Sequence, residues 1–335
     1  MQTIVSDAIA SWIPYKLFKQ DELLYCRWLY TGDRRFTEPF FDETETVCLS
    51  YPENAGRHRA VGSLDILPEW SAAMDATEPS AFIFHVSRCG STLIAQLLGM
   101  PEQHIVLAEV PFFDDLLRAH YRGQATDEGL ANTLLPAAMR LYGQRRRGDE
   151  SHLFIKTDSW HLCFYQQLRQ LYPSVPFVLL YRSPDEVIRS QRRRRGMQSV
   201  PSIIEPAVFG FDAAIGGGLS LDDYMVSVLH CYFTIMLEVV QTDQPVLLVN
   251  YNEPIMDIME RVAQASQLTL SASYREQIVE RSRYHAKYPD QVFQEPVEDD
   301  PLPQGLEPVM EMYRQLDQLR IANKEQAAFE PSQTR

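Results

Sequence analysis

The chain has 335 residues, 45% of them apolar, enough to bury a large core as one big α/β domain or two modest ones. Its formal charge of −14 excludes general binding to nucleic acid or acidic lipid, which need a basic footprint, so any site for a polyanion must be local. Five scattered cysteines (Cys26, Cys48, Cys89, Cys163, Cys231) include no CxxC pair; they point to neither a disulfide framework nor a zinc site and fit a reducing cytoplasm. The segment Met1–Gln20 lacks a basic start followed by an unbroken apolar run, and no run of about 18 apolar residues occurs. Neither a secretory leader nor a membrane span is therefore expected.

In chain order, residues 1–78 come first, rich in aromatics and containing the turn-rich stretch Tyr30–Phe41; they are expected to form a smaller leading region of unknown role. Four short runs follow: Ala81–Val86, Leu153–Lys156, Phe177–Tyr181 and Val246–Val249. Apolar runs of this kind, bounded by turn residues and separated by helical patterns, predict central strands of a parallel sheet covered on both faces. The expected fold is a three-layer α/β/α domain over 79–300. Residues 196–223, with Gly216, Gly217 and Gly218 and little periodicity, predict either a mobile lid or a disordered loop. The tail, 301–335, carries one helical pattern over Leu306–Ala322 and then a polar end expected to fray.

Chemistry concentrates at the carboxyl ends of these strands. The first run leads directly into Ser87-Arg-Cys-Gly-Ser-Thr92, which opens a helix with Leu93, Ile94, Leu97 and Leu98 on one face. Strand, tight loop and helix make a phosphate cradle: loop N–H groups and the helix dipole point at an anion, and Gly90 admits close approach of the main chain. Ser91 and Thr92 supply hydroxyls and Arg88 a bidentate charge. The same pattern also suits a plain strand-to-helix turn with a capping serine. The nucleotide-triphosphatase loop GxxxxGK[ST] is not met, since no lysine follows Gly90.

A second element follows the strand at Phe177–Tyr181. Here Ser183 with Glu186 predicts a capping box, and Pro184 occupies the first helical position. Arg182 then stands at the carboxyl end of a strand, where open α/β sheets bind ligands, with Ser190 about two turns further on. The run Arg192–Arg195 reads as a solvated helix end or as a grip for an acidic acceptor.

Val86–Leu93 resembles the 5'-phosphosulfate loop of sulfotransferases that use 3'-phosphoadenosine-5'-phosphosulfate (PAPS), in the form found in tyrosylprotein and bacterial members. Arg88 takes the basic position, and Cys89 departs from the usual serine. The resemblance covers roughly residues 79–290 and implies a P-loop nucleotide-kinase-like fold with a PAPS site of Arg88, Cys89, Gly90, Ser91 and Thr92. Arg182 and Ser190 match the arginine and serine that hold the 3'-phosphate in that family. Lys156 resembles the strand-end lysine that stabilises the leaving oxygen. For the base the resemblance offers two places. Glu109, after the short strand Val106–Ala108, matches tyrosylprotein and heparan-type members and is preferred; Asp158 stands where cytosolic members carry a histidine. His85 reads as a buried strand residue. Arg281–Lys287 falls where the family has a late basic loop, without its glycines.

The function expected is sulfuryl transfer from PAPS, without a metal, to a hydroxyl or amine acceptor of unknown class. The alternatives are a nucleotide-dependent kinase, which wants a loop lysine and an acidic magnesium site, and a non-catalytic nucleotide-binding module on the same fold. No nucleic acid or membrane partner is expected.

Overall fold

A computed structural model describes residues 9–56, 60–215, 218–243, 246–284 and 301–329. Five parallel strands form the central sheet: β4 (Pro79–His85), β5 (His104–Ala108), β6 (His152–Lys156), β7 (Phe177–Tyr181) and β8 (Val246–Asn250), preceded in sequence by β1 to β3. Their order is β5-β6-β4-β7-β8, with β4 at the centre. Every residue of β7 is buried, as a strand with helices on both faces requires. The three-layer α/β expectation thus holds.

This order decides where a ligand can sit. From β4 the chain passes over β6 to reach β5, whereas from β6 it crosses β4 to reach β7. With right-handed crossovers the helix Ser91–Leu98 lies on one face, and the helices after β6 and β7 lie on the other. The carboxyl end of β4 is thus the topological switch point, where open α/β sheets bind ligands. Tyr274 Oη, donating to Leu97 O at 2.7 Å, fixes the helix Ala272–Arg281 beside Ser91–Leu98.

The leading region builds a second, antiparallel sheet of β1 (Trp12–Gln20), β2 (Leu23–Tyr30) and β3 (Val61–Ser63). Pro14 falls where the β1–β2 register shifts, so its missing N–H breaks no regular ladder. Buried Ile13, Tyr15 and Leu17 join the core of the main sheet. Tyr142 Oη donates to Pro14 O at 2.6 Å and Leu17 N–H to Asp115 Oδ2 at 3.2 Å, tying β1 to the helices Gly129–Tyr142 and Pro111–Arg118.

Residues 196–211, expected as lid or disorder, are instead seated in two short 3₁₀ turns, Met197–Ser199 and Pro206–Phe209. Ile204 and Phe209 are buried, and Glu205 accepts from Arg118 Nε at 2.7 Å and Arg122 Nε at 3.3 Å. Gly216 and Gly217 lie outside the described residues. The helix Leu221–Thr242 is long and apolar enough to cross a membrane by length and composition, a feature unforeseen in the sequence. Nine of its side chains, among them Tyr224, Leu229, Phe233 and Met236, are buried within the molecule. The tail helix, Glu307–Phe329, outruns the predicted end at Ala322. It is anchored by Asp317 Oδ1, which accepts from Tyr181 Oη and from Asn250 Nδ2, both at 2.8 Å.

Candidate active site

The loop after β4 departs from regular backbone at three residues. Ser87, Arg88 and Gly90 have φ of 67°, 53° and 80°. Left-handed backbone at two non-glycine residues costs free energy and persists only where surrounding structure imposes it, most often at functional sites. Gly90, and not a serine, caps the helix Ser91–Leu98. A Cβ on Gly90 would stand 3.0 Å from the ring of Tyr251. The capping-serine reading of the loop therefore fails. Left-handed backbone just before a helix start is the conformation in which successive N–H groups can converge on an anion. Cys89 turns inward, its Sγ 3.5 Å from Leu180 O, and burial pushes its thiol up to about 12. Only its main chain can face the loop. Ser91 is buried at the first helical position and Thr92 half-buried beside it.

The two sequence motifs meet. Arg88 Nε donates to Ser190 Oγ at 2.8 Å, and Arg182 Nη1 donates to Arg88 O at 3.2 Å. Arg182 lies over the ring of Tyr251, 4.2 Å from its centroid, and Gln191 Nε2 donates to Ser87 Oγ at 3.2 Å. Burial, and then Arg193, Arg194 and Arg182, press the Arg88 guanidinium below its ordinary value. On a chain of charge −14, arginines are thus gathered locally at the carboxyl end of the central strands. The predicted capping box does not form. Glu186 Oε2 accepts from Arg182 Nε at 3.0 Å, and Ser183 Oγ turns to Asp185, so the guanidinium has taken the carboxylate from the helix terminus. The helix still begins at Pro184.

Beside the loop lies a buried ion pair. Lys156, at the end of β6, directs its ammonium at Glu109 Oε1, while Glu109 N–H donates to Lys156 O at 2.8 Å. Glu109 follows β5 with φ of 57°, a third left-handed non-glycine residue at the same end of the sheet. Burial raises its carboxyl, but the Lys156 ammonium and His85 outweigh this and hold it at about 2. His85 connects pair and loop. Its Nδ1 accepts from Ser87 N–H at 3.0 Å, which leaves Nε2 to donate to Thr157 O at 2.9 Å, with Glu109 Oε1 3.5 Å away. Burial holds the His85 imidazole below its ordinary value, hence neutral at pH 7.

Asp158 belongs to a different network. It caps the turn Ser159–Phe164, accepting from His161 N–H while its own N–H donates to His161 Nδ1 at 3.3 Å. Burial, then Glu109 and Asp114, push its carboxyl well above the ordinary carboxylate range. Asp114, Asp158 and His161 place ligand atoms within 4.8 Å of one another. Asp114 is already saturated, however, accepting from Trp160 Nε1 at 2.6 Å, His161 Nε2 at 3.1 Å, Arg118 Nη1 at 2.8 Å and Arg122 Nη2 at 3.1 Å. That arrangement is a structural polar network.

The sequence reading missed His85 as a partner of Glu109, and also Tyr251 and Gln191. Tyr251 carried a usable signal, its place at the carboxyl end of a strand; the other contacts depend on strand order. Of the late basic stretch, Arg281 donates to Gln96 Oε1 at 2.5 Å, and residues 285–287 lie outside the described residues.

No family model and no curated protein matches the chain. Among solved structures it is similar to a sulfotransferase from Mycobacterium tuberculosis H37Rv, at 14% identity and a TM-score of 0.40 over 73% of this chain and 78% of that one. It is also similar to the sulfotransferase domain from the curacin biosynthetic pathway, at 13% and 0.45 over 72% and 99%. A sulfotransferase from Alicyclobacillus acidocaldarius gives 16% and 0.41 over 73% and 95%. At these scores the likeness decides nothing about chemistry, which rests on the chain's own residues.

Proposed function

We propose that this protein moves a sulfuryl group from PAPS to a hydroxyl or amine acceptor. One observation carries the reading: a chain of contacts from loop to ion pair, in which Ser87 N–H donates to His85, His85 Nε2 lies 3.5 Å from Glu109 and Glu109 pairs with Lys156, beside the cluster of Arg88, Arg182 and Ser190. The donor supplies a sulfuryl group on a good phosphate leaving group and a second, 3'-phosphate handle. The fit is electrostatic. Burial and then the neighbouring Arg193, Arg194 and Arg182 press on the Arg88 guanidinium, and a bound polyanion would offset both. Arg88 and the N–H groups from Cys89 to Thr92 would hold the 5' side, with Arg182 and Ser190 on the 3'-phosphate.

The ion pair describes the resting protein. Lys156 Nζ–H is the donor placed to neutralise the bridging oxygen as the S–O bond breaks and its electron pair passes to phosphate. Drawn to that oxygen, Lys156 releases Glu109, whose carboxylate then loses its main stabilising charge and gains basicity. Glu109 accepts the acceptor's proton as the new S–O or S–N bond forms. The main-chain bond from Glu109 N–H to Lys156 O, 2.8 Å, keeps Glu109 beside Lys156. Asp158, tied into the turn Ser159–Phe164, is the less favoured base.

Incubation of the protein with radiolabelled PAPS and a panel of alcohols, phenols and amines tests the reading. Labelled ester or sulfamate together with adenosine 3',5'-bisphosphate is expected. Tight nucleotide binding without transfer to any member would favour the non-catalytic module, and phosphoryl transfer from ATP with magnesium would favour a kinase.

A further inference from the structure

The leading region takes no part in these motifs, yet it reaches the transfer centre at one residue. The Lys156 side chain is fully enclosed, and its ammonium faces the ring of Phe40, 4.9 Å from the centroid. A ring face within about 6 Å attracts an ammonium, more strongly as water is excluded.

Phe40 is held there by its own segment. Arg35 Nη2 spans the carbonyls of Gly99, Met100 and Pro101 at 2.7, 3.1 and 3.1 Å, gripping the end of the helix that starts at the phosphate loop. Glu38 closes the turn by accepting from Arg34 and from Thr44 Oγ1, the latter at 2.6 Å. Phe36 packs edge-on against Phe41 at 5.0 Å, and Arg146 lies over Phe36 at 3.9 Å. The ring thus reaches Lys156 on a segment fixed to the same helix that orients the loop.

We infer that Phe40 is a positioning residue for Lys156, a role that rests on the sulfuryl-transfer reading. As Lys156 is drawn from Glu109 to the leaving oxygen, its ammonium passes between two anionic partners. The Phe40 ring steadies the ammonium through that passage. Residues before β4 therefore complete the active site.

The test replaces Phe40 with phenylalanines bearing one, two and three ring fluorines, which keep the shape and progressively drain the face of negative charge. The expected result is a stepwise fall in kcat, reaching about thirtyfold, the equivalent of about 2 kcal/mol. KM for PAPS and the melting temperature stay unchanged. Phe40→Trp retains kcat, and Phe40→Leu matches the trifluorinated protein. A flat series would overturn the inference, since a merely packed ring is indifferent to fluorination. The second readout needs no turnover: in protein labelled with carbon-13 lysine, the ε-methylene signals of Lys156 are displaced upfield by the ring and return on Phe40→Leu. Absence of that displacement overturns the inference. Its presence in a protein that transfers no sulfuryl group upholds the contact and counts against the transfer reading alone.

Discussion

Arg88 Nε donates to Ser190 Oγ at 2.8 Å across 102 residues of chain, so one guanidinium joins the loop after β4 to the helix after β7. The two phosphate sites of the proposed donor are therefore coupled. Ser190→Ala should weaken binding of adenosine 3',5'-bisphosphate about tenfold, the scale of one hydrogen bond to a charged group. Adenosine 5'-monophosphate, lacking the 3'-phosphate, should lose less. Isothermal calorimetry measures both, and equal losses would show that Ser190 only shapes the loop.

Gly90 carries a φ of 80° and has the Tyr251 ring 3.0 Å from where a Cβ would stand. Gly90→Ala should cost about 1–3 kcal/mol of stability through backbone strain alone. The same change should sharply reduce bisphosphate affinity by moving the ring or the loop. Thermal melts with and without the ligand check this, and a variant with unchanged melting and affinity would mean the cradle is not used.

Asp158 and Glu109 give opposite pH signatures. The Asp158 carboxyl is raised in the fold, so the native state holds a proton that the unfolded chain releases above about 3.8, and stability falls as pH rises from there. Asp158→Asn, which stays neutral, should melt higher than wild type at pH 7, with the difference vanishing below pH 3.8. Glu109 is depressed, so its contribution is full above about 4.5 and lost only as pH falls toward about 2. Melting curves of both variants against pH resolve the two. A lower melting temperature for Asp158→Asn at pH 7 would show that Asp158 is ionised in the fold.

As the base, Glu109 is required ionised, and Lys156 keeps it so. Glu109→Gln should lower kcat by on the order of 10² to 10⁴ while retaining bisphosphate affinity, and Asp158→Asn should stay within about threefold. Wild-type kcat/KM should show no acid limb from Glu109 between pH 4 and 6, because that carboxyl titrates near 2. Loss of turnover in Asp158→Asn alone would move the base to the other carboxyl. Circular dichroism is the control, since removing the charge partner of buried Lys156 costs stability.

The central sheet was legible because β4, β7 and β8 are short apolar runs between turn residues, and β6 ends on the lysine that resembled a known lysine. The leading sheet was not, since Pro14 and the register shift beside it hide the period of β1, and β3 is only 3 residues long. Motif residues could be named from spacing alone, but their partners could not. That Arg182 takes Glu186 from the helix cap, and that His85 and Phe40 flank the Glu109–Lys156 pair, depends on strand order and on a segment outside the motifs. Residues 196–211 read as a loose loop because their anchors, Arg118 and Arg122, are some 80 residues earlier.

The most direct test is calorimetric titration of the full chain with adenosine 3',5'-bisphosphate, against ATP with magnesium and adenosine 5'-monophosphate. The cluster of Arg88, Arg182 and Ser190 with the loop after β4 predicts bisphosphate binding at least about tenfold tighter than either competitor, with a melting shift of about 2.7 kcal/mol equivalent at a hundredfold excess over Kd. No heat and no shift at millimolar bisphosphate, or tighter binding of ATP with magnesium, would contradict it.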